Sequence, residues 1–241
     1  MFRRERHRKV LELVSALNAG LLARCRFLFG GGTRIVLELG EYRESLDVDF
    51  LCSDAEGYAE LRFQASSRGY DSLFTADSLR DLHLPREMRI DQYGIRFPVQ
   101  VEGGLMRVEL IREARIELDA GVRPDWSPVD CLAIDDCFAE KLLANSDRWA
   151  DRQVFSRDLI DLGALRRKIG PVPDCAWAKV EPAYKAAARD DLRKALTAFL
   201  GDAAHQRRCF EALRIDEPDE ILAGMKMLLQ ELAAPPAHPR G

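Results

Sequence analysis

Two aspartates on a predicted strand have the types and spacing that most clearly indicate chemistry. Asp47 and Asp49 alternate with apolar side chains in residues 46–51, and because strand side chains have a period of two, both carboxylates leave one face. Neighbouring like charges resist joint ionisation unless a cation lies between them. Mg²⁺ takes one or two protein carboxylates together with substrate phosphates. The pair therefore predicts a metal site, with an ordinary solvated strand face as the alternative.

A glycine turn precedes this strand. Gly30, Gly31 and Gly32 end the apolar run Cys25–Phe29, which predicts a buried strand, and Thr33 stands at the predicted N-cap of a helix. Backbone N–H groups at a helix N-terminus bind phosphates, and glycine lets the phosphate approach closely. Glycine turns are also common without a ligand. The sequence here has neither a Walker A loop nor a dinucleotide-binding fingerprint.

Together the turn and the acid pair resemble the first motif of the AbiEii/AbiGii toxin family, within the DNA polymerase β-type nucleotidyltransferase superfamily. The residues that carry this resemblance are Gly31, Gly32, Thr33, Arg43, Ser45, Asp47, Asp49 and Phe50. The resemblance implies that the turn, with Ser45 in the same motif, holds a nucleoside triphosphate and that the aspartates bind the catalytic metals. The chain differs at Arg34, where the family more often has a small residue.

A later hairpin carries a third acid. Residues 95–102 and 105–112 predict two strands joined at Gly103-Gly104, and on the second strand Glu109 points away from the apolar face. The resemblance implies a third metal-binding carboxylate on such a strand, and Glu109 matches that position best. Glu102 and Glu113 are the alternatives, and an ordinary solvated strand glutamate is another.

Two predicted helices carry further charged groups. In residues 135–149 Lys141 and Arg148 lie on one helical face, and in residues 156–168 Asp158 and Asp161 share a face. Surface charges and intrahelical ion pairs would explain them without a ligand. The resemblance implies instead that Lys141 contacts nucleotide phosphates with Arg148 nearby. By the same resemblance, Asp158 or Asp161 orients the lysine or completes the pocket. On this hypothesis Lys141→Ala abolishes transfer and leaves thermal unfolding nearly unchanged.

The elements that position these residues predict an α+β fold. The resemblance implies a nucleotidyltransferase-type domain over residues 1–124, with a mixed sheet flanked by helices, and a helical domain over residues 125–241 that completes the nucleotide pocket. Pro124 and Pro128 mark the boundary. Residues 71–93 predict short strands or a loop. The other predicted helices are 5–24, 54–69, 175–188, 190–200, 204–214 and 218–233, before an Ala/Pro-rich tail predicted to be disordered. Of these, the helix over 54–69 is predicted to be capped at Asp54 or Ser53 and ended by Gly69.

Composition narrows the classes of protein. The chain has 241 residues, of which 47% are hydrophobic and 32% charged, with a net charge of −4. No apolar run approaches the roughly 20 residues of a membrane span, and the six cysteines lack zinc-site spacing. We therefore expect a cytoplasmic protein. Its charge disfavours coating of nucleic acid but permits a local basic cleft. The four histidines are scattered, and none is assigned a catalytic role.

The motifs and the resemblance predict an enzyme that moves a nucleoside monophosphate from an NTP, with ATP among the candidates, to an acceptor hydroxyl. Two Mg²⁺ ions, or Mn²⁺ in their place, would be the cofactors. The resemblance implies RNA, particularly the tRNA 3′ end, as acceptor, with a protein hydroxyl or a small molecule as the alternatives. It also implies the toxin of a type IV toxin–antitoxin pair with a cognate antitoxin. One alternative is an antibiotic-type small-molecule nucleotidyltransferase with a deep acidic pocket. Another is a catalytically silent nucleotide-binding module, favoured if Glu109 does not converge on the aspartates.

Overall fold

The computed structural model describes residues 2–102 and 104–233, which form an α+β fold of twelve α-helices, one short 3₁₀ helix (Arg152–Val154) and five strands. In chain order the elements are α1 Glu5–Ala16, α2 Ala19–Arg24, β1 Leu28–Phe29, α3 Gly31–Glu38, β2 Val48–Cys52, α4 Ala55–Arg68, α5 Tyr70–Leu73, α6 Ala76–Asp81, β3 Arg89–Ile90, β4 Gly94–Val101, β5 Gly104–Arg112, α7 Ile134–Arg148, α8 Arg157–Lys168, α9 Asp174–Tyr184, α10 Ala187–Leu200, α11 Ala203–Ala212 and α12 Pro218–Ala233.

The described chain divides into two compact units, one ending at Cys137 and one beginning at Phe138. The functional boundary between residues 124 and 125 stays a prediction. Gly103 of the predicted hairpin turn and the tail after residue 233 lie outside the described residues. Among the residues that the structure covers, no helix has the length and apolar character needed to cross a membrane.

A mixed sheet organises the first unit. Its strand order is β1-β2-β5-β4-β3, with β2 parallel to β5 and every other neighbouring pair antiparallel. The face of β4 and β5 that carries Phe97, Val108 and Leu110 is buried in the core. The opposite face carries Glu109 and Arg107, which confirms the alternation predicted for this strand. Acidic and basic side chains therefore gather on the sheet face that is not the core.

The first predicted helix is divided in two. Asn18 interrupts it, because its side chain accepts a hydrogen bond from the Leu21 N–H and so starts α2 as an N-cap. The Asn18 N–H donates to the carbonyl of Leu73 rather than to a carbonyl of α1. A broad apolar stripe continues across the break, which explains why periodicity alone predicted one helix.

The structure confirms some of the other predicted helix and strand boundaries and shows that others are wrong. α4 has the predicted caps, Asp54 at its start and Gly69, with φ +59°, at its end. The predicted strand over Cys25–Phe29 is wrong at its beginning, because Cys25 caps α2 and Arg26 takes a left-handed conformation with φ +56°. Only Leu28–Phe29 form β1. The segment predicted as short strands or a loop contains β3 but also α5 and α6.

The second unit is helical, as predicted, and α8 lies at its centre. Every residue from Asp158 to Leu165 in that helix is buried. α8 packs closely on α12 where Gly163 meets Gly224: a Cβ on Gly224 would lie 2.0 Å from the Gly163 carbonyl oxygen. The two helices can come this close only because both residues lack side chains.

Candidate active site

The glycine turn brings the N-terminus of α3 against the acid pair. Gly31 has φ +65°, and a Cβ at this position would lie 2.2 Å from Oδ2 of Asp49. Only glycine fits this contact and this backbone conformation. Gly30 caps the helix, so the predicted N-cap at Thr33 is wrong by three residues and the helix begins at Gly31. The first-turn N–H groups and the positive end of the helix dipole thus lie beside the Asp49 carboxylate.

Thr33 links this helix to the segment before β2. Its side chain is fully buried, and its hydroxyl donates to the Asp47 carbonyl oxygen over 2.6 Å. The Ser45 hydroxyl lies 2.9 Å from Thr33 Oγ1 and donates to it, because the single hydroxyl hydrogen of Thr33 is already used. The Thr33 hydroxyl therefore positions Asp47, and the backbone N–H groups of Gly31 and Gly32 remain the predicted phosphate donors.

Two of the three predicted metal ligands share one sheet face. Asp49 on β2 is the register partner of Glu109 on the parallel strand β5, so their side chains leave the same face in adjacent positions. Asp47 precedes β2, which begins at Val48, so the predicted strand over residues 46–51 is wrong at its beginning and strand periodicity does not orient Asp47. All three side chains are half-buried, neither enclosed in the core nor fully exposed. The sheet thus places Asp49 beside Glu109 although they lie far apart in the sequence, and we call these two residues and Asp47 the acid row.

Arg96, which sequence reasoning missed, extends this row. It is the β4 register partner of Glu109, and its Nε lies 3.6 Å from Glu109 Oε1. Its Nη1 lies 3.3 Å from Oδ2 of Asp91. The position of Arg96 between the apolar residues Ile95 and Phe97 was visible in the sequence. Its partner could not be found there, because strand register decides it.

The alternative third acids are engaged elsewhere. Glu102 is 88% exposed at its side chain and pairs with Lys9 over 2.6 Å. Glu113 is buried, and its Oε2 lies 2.7 Å from Nη2 of Arg115. Strand register therefore favours Glu109 among the three candidates.

The donor chemistry of Asp47, Asp49 and Glu109 fits a hard divalent cation, because all three offer carboxylate oxygens. Within residues 2–102 and 104–233, no three His, Cys, Asp or Glu side chains are already gathered as a metal-ligand set. The Glu109 carboxylate is directed to Arg96. Completing the ligand set would require Glu109 to turn from Arg96 towards Asp49.

Arg34, the position that differs from the family pattern, is almost fully buried. Its guanidinium pairs with Glu38 at 2.7 Å and lies 5.5 Å from the ring centroid of Trp126. The side chain therefore packs within the fold and is directed to these two partners.

In the second unit, the four predicted charged residues form one cluster. Nζ of Lys141 lies 2.9 Å from Asp158 Oδ1 and 2.6 Å from Asp161 Oδ2. Arg148 donates to both oxygens of Asp158, from Nε over 2.6 Å and from Nη2 over 3.0 Å. Both aspartates and Lys141 are buried, whereas the Arg148 side chain is 36% exposed. We call these residues the Lys141 cluster.

Burial and pairing act against each other in the Lys141 cluster. Burial alone would raise the pKa of Asp158, but Lys141 and Arg148 hold that pKa well below its usual value. The hydrogen bond to Asp158 raises the pKa of Arg148. Asp158 and Arg148 therefore stay ionised together, because each charge has an opposite partner. A cavity of about 230 Å³ lies beside the cluster and is lined by Arg148, Asp158 and Trp149 among others.

A family model provides the identification. The model described as the nucleotidyl transferase AbiEii toxin of a type IV toxin–antitoxin system matches residues 16–234. This chain belongs to that family. It is therefore a nucleotidyltransferase, and the match includes the glycine turn, the acid row and the Lys141 cluster.

Two solved structures share the fold with this AbiEii nucleotidyltransferase. A Helicobacter pylori protein proposed to be a nucleotidyltransferase gives a TM-score of 0.50 at 14% identity, over 94% of this chain and 95% of that one. JHP933 from Helicobacter pylori gives a TM-score of 0.56 at 14% identity, over 97% of this chain and 95% of that one. No curated protein sequence matches significantly.

Proposed function

We propose that this AbiEii nucleotidyltransferase transfers a nucleoside monophosphate from an NTP to the 3′ hydroxyl of RNA, with tRNA as the foremost acceptor. The observation that supports this is the order of groups across one sheet face. The glycine turn lies against Asp49, Asp49 is paired in register with Glu109, and Glu109 is paired with Arg96. Phosphate donors, acids and cations thus follow one another in a single row.

Each part of the row has a proposed role. Asp47, Asp49 and Glu109 would hold two divalent ions, Mg²⁺ or Mn²⁺. When bound, such ions neutralise phosphoryl oxygens and lower the pKa of an attacking hydroxyl. Gly31 and Gly32 would donate backbone N–H groups to the β- and γ-phosphates. Glu109 would also receive the proton of the acceptor hydroxyl.

The order of groups in the row indicates the side from which the acceptor hydroxyl would approach. In phosphoryl transfer the attacking and leaving oxygens are roughly in line. If the glycine turn holds the leaving pyrophosphate on the β1 side of Asp49, the acceptor hydroxyl must approach from the side of Glu109 that carries β4. The transferred α-phosphate would then lie over the acids between these two sides.

The acceptor side carries the chemistry that binds RNA. Arg89 is the register partner of Arg96, and Arg107 lies two residues from Glu109 on the same exposed face. Arginines bind RNA phosphates electrostatically. Tyr93, which is 64% exposed, offers a ring on which an unpaired base can stack. This basic edge favours RNA over the small-molecule alternative, for which we expected an acidic pocket.

The Lys141 cluster has a proposed role as well. Lys141 and Arg148 would offset charge on the leaving pyrophosphate, with Asp158 and Asp161 holding the lysine in place. Because Arg148 is the more exposed of the two cations, it is the better placed to meet a ligand. Membership of a type IV toxin–antitoxin family implies an antitoxin partner. We propose the cytoplasm, where NTPs and tRNA occur, as the site of action.

The test is a transfer assay with purified protein, Mg²⁺, each α-labelled NTP in turn, and total tRNA. Asp47→Asn and Asp49→Asn remove the proposed metal charges with little change of shape. Asp77→Asn is the matched control, because the Asp77 side chain is 97% exposed on α6. A second control uses tRNA whose 3′ ends have been oxidised with periodate.

We expect label in tRNA with the unmutated protein and with Asp77→Asn, and none with Asp49→Asn or with oxidised tRNA. Transfer to protein or to a small hydroxyl compound, with tRNA unlabelled, would overturn the proposed acceptor. Metal-dependent nucleotide binding with no transfer to any acceptor would favour the silent module.

A further inference from the structure

We propose that His7 is a positioning residue for the active site, holding the segment that carries Asp47 through a chain of hydrogen bonds. The proposal rests on the role of Asp47 in the proposed function. His7 lies outside the residues 16–234 that the family model matches. This positioning contact is therefore supplied by the N-terminal segment of this chain, which family membership does not describe.

The contacts of His7 fix its protonation state. The ring is fully buried, and its Nε2 accepts a hydrogen bond from the Ser45 backbone N–H over 3.2 Å. A backbone N–H can only donate, so Nε2 carries no hydrogen. Nδ1 must then be the protonated nitrogen, and it donates to Glu41 Oε1 over 2.9 Å. His7 therefore acts as a neutral bridge with one donor and one acceptor, both in use.

Glu41 anchors this bridge to the start of α1. Its carboxylate is buried and accepts backbone N–H groups from Arg3 over 2.6 Å and Arg4 over 2.8 Å. The backbone of Glu41 is left-handed, with φ +61°, a conformation that a residue with a side chain adopts only when its surroundings hold it there. Three hydrogen bonds to one carboxylate supply that hold.

From Ser45 the chain of hydrogen bonds continues to Asp47. Ser45 donates its hydroxyl to Thr33, and Thr33 donates to the Asp47 carbonyl. Residues 39–47 lie in no helix or strand, so no regular ladder of backbone hydrogen bonds fixes them. The path Glu41, His7, Ser45, Thr33 and Asp47 therefore fixes the segment that leads into β2.

A purely structural role for His7 makes a different prediction, and the chain offers a matched control. Arg6 joins the same two segments through a pair with Glu44 at 3.2 Å. The Arg6 side chain is 39% exposed, and the Arg6–Glu44 pair does not belong to the path to Asp47. If any contact between these segments sufficed, Arg6→Ala and His7→Phe would have similar effects.

The first measurement is amide hydrogen exchange over residues 41–47 in metal-free protein. His7→Phe removes both ring nitrogens, and His7→Gln restores an acceptor near the position of Nε2. We expect exchange to rise roughly threefold to tenfold in His7→Phe, because one protecting hydrogen bond is lost. His7→Gln and Arg6→Ala should stay close to the unmutated protein. Ser45→Ala breaks only the hydroxyl link and gives a second, milder variant if His7→Phe does not fold.

The second measurement is Mn²⁺ affinity, followed by the EPR signal of free Mn²⁺. Removing groups that orient metal ligands weakens binding by roughly 10- to 100-fold, and we expect His7→Phe to fall in this range. Transfer by His7→Phe should recover in excess metal, with the KM for the NTP unchanged. A loss of kcat that excess metal does not restore would contradict a role exerted through Asp47.

The outcomes separate the two proposals. Unchanged loop exchange and Mn²⁺ affinity in His7→Phe, or the same changes in Arg6→Ala, would overturn the role of His7. Full transfer activity in Asp47→Asn would instead overturn the proposed active site. Hydrogen exchange without metal or substrate reports the His7 link itself, so it remains decisive in either case.

Discussion

The acid row of the first unit and the Lys141 cluster of the second differ in burial and in how their charges are paired. Asp49 and Glu109 lie half-buried on one sheet face, and Asp47 is half-buried just before β2. Asp158 and Asp161 are buried and meet Lys141 and Arg148 at close range. On the proposed function, the row gains stabilisation from the metal ions that bind with the substrate. The cluster already balances its own charges, so removal of Lys141 leaves two buried carboxylates without their shared cation.

The largest effect expected from this comparison is on activity in the row. Asp49→Asn should lower transfer at least roughly 10³-fold, because a bound metal supplies several kcal/mol of transition-state stabilisation. The free energy of unfolding should change by less than about 1 kcal/mol, since the shape is kept. Single-turnover transfer and urea unfolding on the same preparation measure both. Retained transfer would show that Asp49 holds no catalytic metal.

The largest effect on stability is expected in the cluster. Lys141→Met should lower the free energy of unfolding by about 3–5 kcal/mol, because Asp158 and Asp161 lose a shared buried cation. This replaces the expectation from sequence that stability would be nearly unchanged. The midpoint of thermal unfolding should fall by roughly 6–20 °C. Adding Asp161→Asn to Lys141→Met should restore part of the lost stability. A stable but inactive Lys141→Met would show that the lysine serves the ligand more than the fold.

A smaller effect concerns the turn beside Asp49. Gly31→Ala and Gly69→Ala both place a side chain at positive φ, +65° and +59° respectively, at a cost of about 1–3 kcal/mol in stability. At Gly69 nothing lies within 4 Å of the added Cβ, whereas at Gly31 the Cβ meets the Asp49 carboxylate. Only Gly31→Ala should therefore lose transfer. Equal transfer by the two variants would contradict the close contact at Asp49.

Arg148 sharpens the comparison within the cluster itself. Because its side chain is 36% exposed, Arg148→Met should destabilise the fold by only about 1 kcal/mol, well below Lys141→Met. If Arg148 meets the triphosphate, the KM for the NTP should still rise. Unfolding curves beside NTP titrations test this. A large stability loss with an unchanged KM would make Arg148 structural.

The smallest effect is a dependence on pH through His7. Burial lowers the pKa of His7 below its usual 6.5, against the raising effect of Glu41. Near pH 6.5 the His7 imidazole of the unfolded chain therefore binds a proton, whereas the His7 imidazole of the folded protein stays neutral. The free energy of unfolding therefore falls as the pH drops below 6.5, by at most about 1.4 kcal/mol per pH unit.

Urea unfolding between pH 7.5 and 5.5 measures this effect against His7→Gln. The stability advantage of the unmutated protein should shrink across that range. The other histidines and the carboxylates facing His7 are present in both proteins, so their titration is largely shared. Parallel curves would show that His7 does not titrate as its burial requires.

Local chemistry made several features predictable from sequence. Alternation on β5 correctly placed Glu109 opposite the apolar face, and the caps of α4 at Asp54 and Gly69 were confirmed. The family resemblance was also confirmed. These successes share one cause, because periodicity, caps and short motifs depend on residues close together in the chain.

Features that depend on long-range contacts could not be predicted from periodicity, caps and short motifs. The break at Asn18 depends partly on the Leu73 carbonyl, the pairing of Arg96 depends on strand register, and the bridge made by His7 depends on a distant loop. Burial of Lys141 between two aspartates was also beyond sequence, since a helical face can point to solvent or to the core. Each of these residues could have met several partners, and only the packing of the folded chain selects one of them.

The sequence by itself determined the family, the α+β class and the types of residue available for nucleotidyl transfer. Only the tertiary structure decided which acids are neighbours, which charges are buried and which hydrogen bonds fix Asp47. The physical reason is that a side chain's chemistry belongs to the residue. Its pKa, its partner and its exposure belong to the surroundings, and these exist only once distant segments have packed together.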